Sequence, residues 1–156
     1  VWVDAPSQQF LMPYDRPHDF TISIHTKKLP FGIGAGLTGF YQSGYPYTPV
    51  IFNGDKPQSD VKNKNTKRAP AFKNVNLSLS KVFKYYDIKV SLGVNVYNVF
   101  DLRIPVDVFD LTGEPDDPGE YYTENVGTEV SGSYYNFPWY FTSPRQINFT
   151  ARFDFR

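Results

Sequence analysis

The chain has 156 residues, with 16 basic and 16 acidic side chains and a formal net charge of zero, so no overall positive charge points to nucleic-acid binding. The absence of cysteine excludes disulfides, thiolate nucleophiles and cysteine-ligated metals within this sequence. Aromatic residues make up 18% of the chain, a share typical of proteins whose rings line an interface or a binding surface.

Apolar and polar residues alternate along much of the chain, and a helical period is almost absent. In HDFTISIHT, for example, Phe20, Ile22 and Ile24 fall on one face of a strand and polar residues fall on the other. This pattern predicts five strands, over 18–27, 31–42, 72–83, 87–98 and 145–155. The last of them, within INFTARFDFR, alternates without a break.

The connections between these strands alternate between short and long. That order is typical of a transmembrane barrel, which has tight turns at one end, large loops at the other and strands of about 9–11 residues. A soluble β-sandwich produces the same alternation of side chains, although its loops need not be sorted by length. Five strands cannot close a barrel, and an open sheet edge is not viable in lipid. If the apolar faces contact lipid, we therefore expect the barrel to be completed by further strands, either of the same larger barrel or of other chains.

Five segments follow one another and cover nearly the whole sequence. They are YDRPHDFTISI, LPFGIGAGLTGFYQSGYPYTP, RAPAFKNVNLSLSKVF, VSLGVNVYNVFD and the closing INFTARFDFR. In this order they resemble the C-terminal end of a TonB-dependent outer-membrane receptor. Two features of that family have no counterpart here: its plug domain, and the N-terminal segment that contacts TonB.

The resemblance implies an all-β fold, an antiparallel transmembrane β-barrel meander that supplies about five C-terminal strands of a 22-stranded barrel. Residues 1–156 would be the C-terminal part of the barrel domain, with extracellular loops at about 1–17, 44–70 and 101–143. The implied function is uptake of a scarce or bulky nutrient, such as a metal chelate, a glycan or a peptide. The implied location is the outer membrane of a Gram-negative-type bacterium.

The resemblance also implies the partners of the chain. They are the lipid bilayer with its lipopolysaccharide, the rest of the same barrel and its plug, and the TonB complex, reached through an N-terminal part outside this sequence. We expect no nucleic-acid partner and no cofactor. Hydrolase, phosphate-loop and zinc-protease motifs are absent from the sequence, so we do not predict an enzyme.

Aromatic residues cluster next to strand ends, in GYPYTP and SYYNFPWYFTSP. The candidate ligand-binding residues are Tyr45, Tyr47, Tyr134, Tyr135 and Trp139. Their rings could stack on sugars or other flat ligands. The same rings also suit packing within the loops or an aromatic girdle at the level of the lipid headgroups, the interpretation that we favour.

An acidic segment over 107–129 carries eight carboxylates and no basic residue. Its bent part offers Asp110, Asp116, Asp117 and Glu120 as candidate calcium ligands, because calcium prefers carboxylate and carbonyl oxygens. The spacing is not that of an EF-hand, and a solvated acidic loop is the simpler interpretation. Basic residues over 56–68 could pair with this loop or with lipopolysaccharide phosphates.

Three alternatives concern the second long connection and the fold. Residues 106–110 and 121–126 are strand-like and could form a small hairpin. Extra strands over 104–111, 120–126 and 134–142 would instead give a closed eight-stranded barrel, with prolines at positions 105 and 138 in its strands. The third alternative is a soluble β-sandwich with the aromatic clusters as a carbohydrate-binding platform.

Overall fold

The computed structural model describes residues 9–125 and 137–155. In chain order the strands are β1 (Asp19–Leu29), β2 (Ile33–Gln42), β3 (Pro46–Tyr47), β4 (Val50–Asn53), β5 (Lys56–Ser59), β6 (Lys67–Arg68), β7 (Phe72–Tyr85), β8 (Ile88–Tyr97) and β9 (Gln146–Phe155). One α-helix, α1, spans Glu120–Asn125, and short 3-10 helices span Pro30–Gly32, Val61–Asn63 and Pro138–Tyr140.

The described chain divides into two compact units. The sheet unit comprises 18–42, 72–104 and 142–155, and the loop unit comprises 9–17, 43–71, 105–125 and 137–141. The sheet unit holds the long strands, and the loop unit holds the short ones and α1.

The five predicted strands form a single antiparallel sheet in the order β1-β2-β7-β8-β9. Each observed strand begins and ends within two residues of its predicted bounds. The all-β prediction is therefore confirmed. Among the described residues the sheet is open, and no closed barrel forms.

The strand register aligns the alternating patterns of all five strands, so apolar residues lie beside apolar residues and polar residues beside polar ones. One row across the sheet is Ile24, Leu37, Leu77, Val96 and Ile147. The adjacent row is His25, Gly36, Ser78, Asn95 and Asn148. Because successive side chains of a strand point to opposite faces, one face of the sheet is apolar and the other is polar.

The apolar face is exposed instead of forming a core. The side chains of Ile22 and Phe149 are 68% and 78% exposed, and Val90 is the one buried apolar residue among these strands. The remaining buried apolar residues of the described chain are Ala69, Ile104 and Val108. So few buried residues leave most of the apolar surface of the sheet uncovered.

A buried asparagine, Asn98, fixes the backbone turn that follows β8. Asn98 has φ +54, and its backbone N–H donates to the Asn76 side-chain oxygen at 3.1 Å. Its side-chain amide donates to the Leu102 carbonyl at 2.9 Å and accepts from the Leu102 N–H at 2.9 Å. Asp101, with φ +55, then accepts from the Arg145 N–H at 2.7 Å just before β9. Two residues in the left-handed backbone conformation, Asn98 and Asp101, therefore form the turn after β8. Asp101 also fixes the residue that precedes β9.

The loop unit contains two small antiparallel ribbons, β3 paired with β6 and β4 paired with β5. The predicted hairpin of 106–110 with 121–126 is wrong, because 120–125 is helical and 106–110 contains no strand. Pro118 and Gly119 interrupt the extended chain just before α1, and Glu120 in the first helical turn is favourable to the helix dipole.

The eight-stranded alternative fails for the same reason. Its extra strand over 104–111 is reduced to an isolated bridge between Pro105 and Phe141, and that over 120–126 is replaced by α1. The third, over 134–142, lies partly outside the described residues, and its described part contains the Pro138–Tyr140 3-10 helix. A β-sandwich would need a second large sheet, and the other described sheets have two strands each.

Within the described ranges, no helix has both the length and the apolar character needed to cross a membrane.

We predict that Asn98→Ala lowers the free energy of unfolding by about 2–3 kcal/mol, because it removes the paired amide contacts that offset the strain of a Cβ-bearing residue at positive φ. Asn98→Gly should lower the free energy of unfolding by less, since glycine accepts φ +54 without strain. Urea unfolding, followed by circular dichroism, measures the stability of both variants. Asn148→Ala on exposed β9 is the matched control. Equal losses in all three variants would contradict this role of Asn98.

Candidate functional site

The apolar face of the sheet unit carries aromatic rings at both ends. At the end with the long connections, Phe20 and Tyr41 are neighbours in register with ring centroids 6.1 Å apart, and Lys73 is the next residue of the same row. At the short-turn end, Tyr85, Ile88 and Phe155 form the last row. The rows between are mainly aliphatic but also contain Phe83, Phe149 and Phe153. Aromatic rings therefore occur along the whole apolar face and not only at its ends.

The polar face of the same sheet is built mainly from serine, threonine, asparagine and glycine. Ser23 and Thr38 share a hydrogen bond between their hydroxyls at 3.2 Å, and Gln42 donates to Asp19 at 2.9 Å. Arg152 and Asp154 form an exposed ion pair of 2.8 Å on β9. Such groups need water or polar partners, so this face is suited to an aqueous surface.

Arg68 holds three segments of the loop unit together. Its guanidinium forms an ion pair with Asp15 and donates to the carbonyls of Asp15, at 2.8 Å, and Gly44, at 3.0 Å. The chain at Gly44 runs so close to the β6 side that a Cβ there would overlap the Ala69 carbonyl. The glycine of the YQSGYP segment is therefore required by this close approach.

Two further polar side chains organise the first long connection. Asp60 caps the Val61–Asn63 3-10 helix by accepting from the N–H groups of Lys62 and Asn63. The Asn63 side chain also donates to Asp60 at 2.6 Å, and this bond is the main reason that the pKa of the Asp60 carboxyl is lowered. Buried Asn65, with φ +57, exchanges hydrogen bonds with Thr48.

The predicted ligand-binding tyrosines of this connection are engaged within the loop unit. Tyr45 donates its hydroxyl to the Asp107 carboxylate at 3.0 Å, and burial together with this bond strongly raises its pKa. The Tyr47 hydroxyl lies where a Cβ on Gly113, which has φ +81, would be placed, and burial raises its pKa also. These two rings are only half-buried. Each lies against a residue of the acidic segment 107–129, Asp107 for Tyr45 and Gly113 for Tyr47.

Of the other predicted ligand-binding residues, Tyr134 and Tyr135 lie outside the described residues. Trp139 is 68% exposed on the Pro138–Tyr140 3-10 helix and stacks on Phe137, with centroids 4.8 Å apart and planes 17° apart. Among the described residues, the ring contact of Trp139 is with Phe137, and no ring contact joins it to Tyr45 or Tyr47.

The proposed calcium ligands do not form a ligand set. Asp117 accepts from the Gly119 N–H at 2.9 Å, which closes a local turn. Nowhere in 9–125 and 137–155 do three or more acidic or histidine side chains converge in an arrangement able to hold a metal ion.

The loop unit contains a cavity of about 350 Å³ that no sequence pattern predicted. It is lined by Val50, Pro57, Gln58, Ser59, Val108, Phe109, Asp110, Leu111, Tyr122 and Tyr140. Its volume lies in the usual range for small-molecule sites, about 300–1,000 Å³. Burial, followed by the nearby charge of Asp107, raises the pKa of the Asp110 carboxyl. The only sequence signal was the recurrence of aromatic residues within the acidic connection.

Comparison of the chain with models of known protein families, with curated proteins and with solved structures finds no match.

We predict that Gly44→Ala opens the loop unit, because the added methyl overlaps the Ala69 backbone and forces the two segments apart. Limited proteolysis should cut within 43–71 at least about tenfold faster, which corresponds to a local loss of about 1.4 kcal/mol. Gly39→Ala, where a Cβ meets nothing within 4 Å, is the matched control. Unchanged cleavage in Gly44→Ala would contradict the close approach.

Asp60 should make the loop unit sensitive to acid. A carboxyl whose pKa is lowered on folding stabilises the folded state above the unfolded value of about 3.9, and this contribution disappears as the pH falls through the folded pKa. We expect Asp60→Asn to reduce the acid dependence of proteolytic protection of 43–71, measured with an acid protease. Asp55→Asn, at an exposed position of the same connection, should leave it unchanged. The same acid dependence in both variants would contradict the prediction.

Proposed function

We propose that this chain forms the C-terminal wall of an outer-membrane β-barrel receptor similar to the TonB-dependent receptors, which takes up a scarce or bulky nutrient. In this proposal the apolar face of the sheet contacts acyl chains and the polar face lines the lumen. The observation that carries the proposal is the exposed apolar face, which runs through all five strands in register.

The area of this face is difficult to reconcile with exposure to water. Soluble monomers rarely expose contiguous apolar patches larger than about 300–600 Å². The face spans five strands and includes the exposed side chains of Phe20, Ile24, Leu37, Phe149 and Phe155. A lipid environment removes the hydrophobic cost of this exposure while leaving the polar face in an aqueous lumen.

The height of the apolar face also fits a bilayer. From Ile147 to Phe155 the alternation covers nine positions of β9, which is about 27 Å along a strand at about 3.4 Å per residue. A strand tilt of about 35–45° reduces this to roughly 20 Å, close to the apolar band of about 25 Å in outer-membrane barrels.

Lysine placement on this face agrees with the same orientation. Lys73 stands in the row at the long-connection end, beside Tyr41. Lys81 stands in register with Ile33 and Leu92, four residues before the end of β7. Both aliphatic stems can cover apolar surface while the ammonium groups reach the headgroup region.

The outer strands of the sheet imply further strands. β1 and β9 lie at its two ends, and each has one side without a neighbour among the described strands. Unpaired backbone groups are costly in hydrocarbon, so the proposed barrel is completed by strands of the same receptor. The plug, the TonB complex and lipopolysaccharide are the other partners in this proposal. The long connections would face the outside and contribute to nutrient capture.

Single cysteines on β9 test the orientation, because these 156 residues contain none. We expect probes at Phe149→Cys and Phe153→Cys to be quenched by brominated lipids, and probes at Asn148→Cys and Arg152→Cys to be quenched by aqueous iodide. The neighbouring polar-face positions serve as matched controls for labelling and local structure. The measurement uses the protein in its native membrane.

Aqueous quenching at all four positions would contradict the lipid-facing orientation and favour a water-soluble protein. The intact mass of the same membrane extract separates the remaining possibilities. A covalent chain several times longer than 156 residues agrees with a large receptor. A stable membrane particle whose chains have only this length would contradict it, because these strands would then have to close with other copies.

A further inference from the structure

The cavity of the loop unit is lined by both aromatic and polar residues. Its aromatic lining residues are Phe109, Tyr122 and Tyr140, and its polar ones include Gln58 and Ser59. Tyr140 is held in place, because its ring packs on Phe109 with centroids 5.0 Å apart and its carbonyl accepts from the Val106 N–H at 2.8 Å. The aromatic wall is therefore anchored by the packing of the unit itself.

The charge of the cavity has one sign. Asp110 is the single ionisable acid or base among its lining residues apart from tyrosine, and no lysine or arginine is among them. Asp107, which stands nearby, already accepts from the Tyr45 hydroxyl and from the Val108 N–H. The Asp110 carboxylate, by contrast, has no hydrogen-bond donor or cation within the described part of the chain. Asp110 is exposed at the cavity, so its carboxylate is solvated by water and has no counter-charge from the described chain.

We propose that this cavity binds the ammonium group of an organic ligand, with the Asp110 carboxylate as its counter-charge and the Tyr122 and Tyr140 rings as walls. An ammonium group satisfies both features, because it pairs with a carboxylate and is attracted to the face of an aromatic ring. Identifying this ligand with the transported nutrient rests on the proposed receptor function, whereas binding itself does not.

Other ligand classes fit less well. Anionic chelates and phosphates would meet an unbalanced carboxylate and no basic partner in the lining. A neutral sugar could stack on the aromatic residues but would gain no charge-assisted contact with Asp110. An amino sugar and a lysine side chain of a peptide both present the ammonium group, and binding experiments can distinguish these two sources.

The electrostatics of Asp110 predict how binding depends on pH. Burial and the charge of Asp107 raise its pKa, so the carboxyl takes up a proton at a higher pH than an ordinary aspartate does. Protonation removes the counter-charge. Ammonium binding should therefore weaken on acidification at a higher pH than the usual aspartate value of about 3.9.

Calorimetric titration of the full chain in detergent tests the proposal with two matched pairs of probes. Glucosamine is compared with N-acetylglucosamine, and Nα-acetyl-lysine amide with its Nε-acetylated form. We expect saturable binding of at least one ammonium probe and at least about tenfold weaker binding of its acetylated counterpart, as for loss of one charged hydrogen-bond partner. The pair that shows this difference identifies the source of the ammonium group.

Asp110→Asn should weaken ammonium binding by a similar factor of about ten or more. This substitution relieves repulsion from Asp107, so the variant should remain folded, which circular dichroism checks. Asp116→Asn, at an exposed acidic position outside the cavity, is the matched control and should bind normally.

Equal affinity for a probe and its acetylated form, no binding of either ammonium probe, or an equal effect of both substitutions would overturn the proposal. These outcomes are independent of the membrane experiment. Ammonium binding by a protein whose β9 probes are all in water would retain the cavity assignment and reject the receptor. Lipid-facing probes in a protein that binds no ammonium probe would retain the proposed receptor and reject the cavity assignment.

Discussion

The continuous hydrogen-bond register across five antiparallel strands is the constraint on which the rest of this structure depends. The side chains of a strand alternate with a period of two, so a slip of one residue in any pair would transfer a whole strand of apolar side chains to the polar face. The irregularity of β1, between Thr26 and Leu29, lies at the short-turn end of the strand and leaves the central rows intact. Register therefore turns five separate local patterns into one apolar surface.

This arrangement has a consequence for stability. Because most large apolar residues lie on the open face, few are left to build an interior, and the segments that join the strands depend on polar contacts instead. Asn98 closes the turn after β8, and Asp60, Asn65 and Arg68 organise the loop unit. Buried polar groups of this kind are favourable only when their hydrogen bonds are complete, which makes these positions specific and sensitive to substitution.

The two proposals assign different physical roles to the two units. The sheet unit offers a large, chemically uniform surface that suits a solvent such as lipid, which requires no precise complementarity. The loop unit offers a small, open cavity with one carboxylate in its lining, which suits a particular ligand. Since the formal charge of the whole chain is zero, the negative character of the cavity arises from the local clustering of carboxylates and not from a global excess. Recognition would then lie in the connections and support in the strands, as is common where loops carry function.

The sequence by itself determined the five long strands, their polar and apolar faces and the sorting of connections by length, because alternation is a local signal that each strand carries within its own residues. It did not determine the structure of the connections, which lack a period. Residues 121–125 have strand-like composition but form a helix after Pro118 and Gly119. Likewise, Tyr45 and Asp107 are 62 residues apart in the chain, and Asp110 lines a cavity with Tyr122 and Tyr140. Only the tertiary structure could decide these contacts, because they are set by where distant segments pack and not by the residues next to them in sequence.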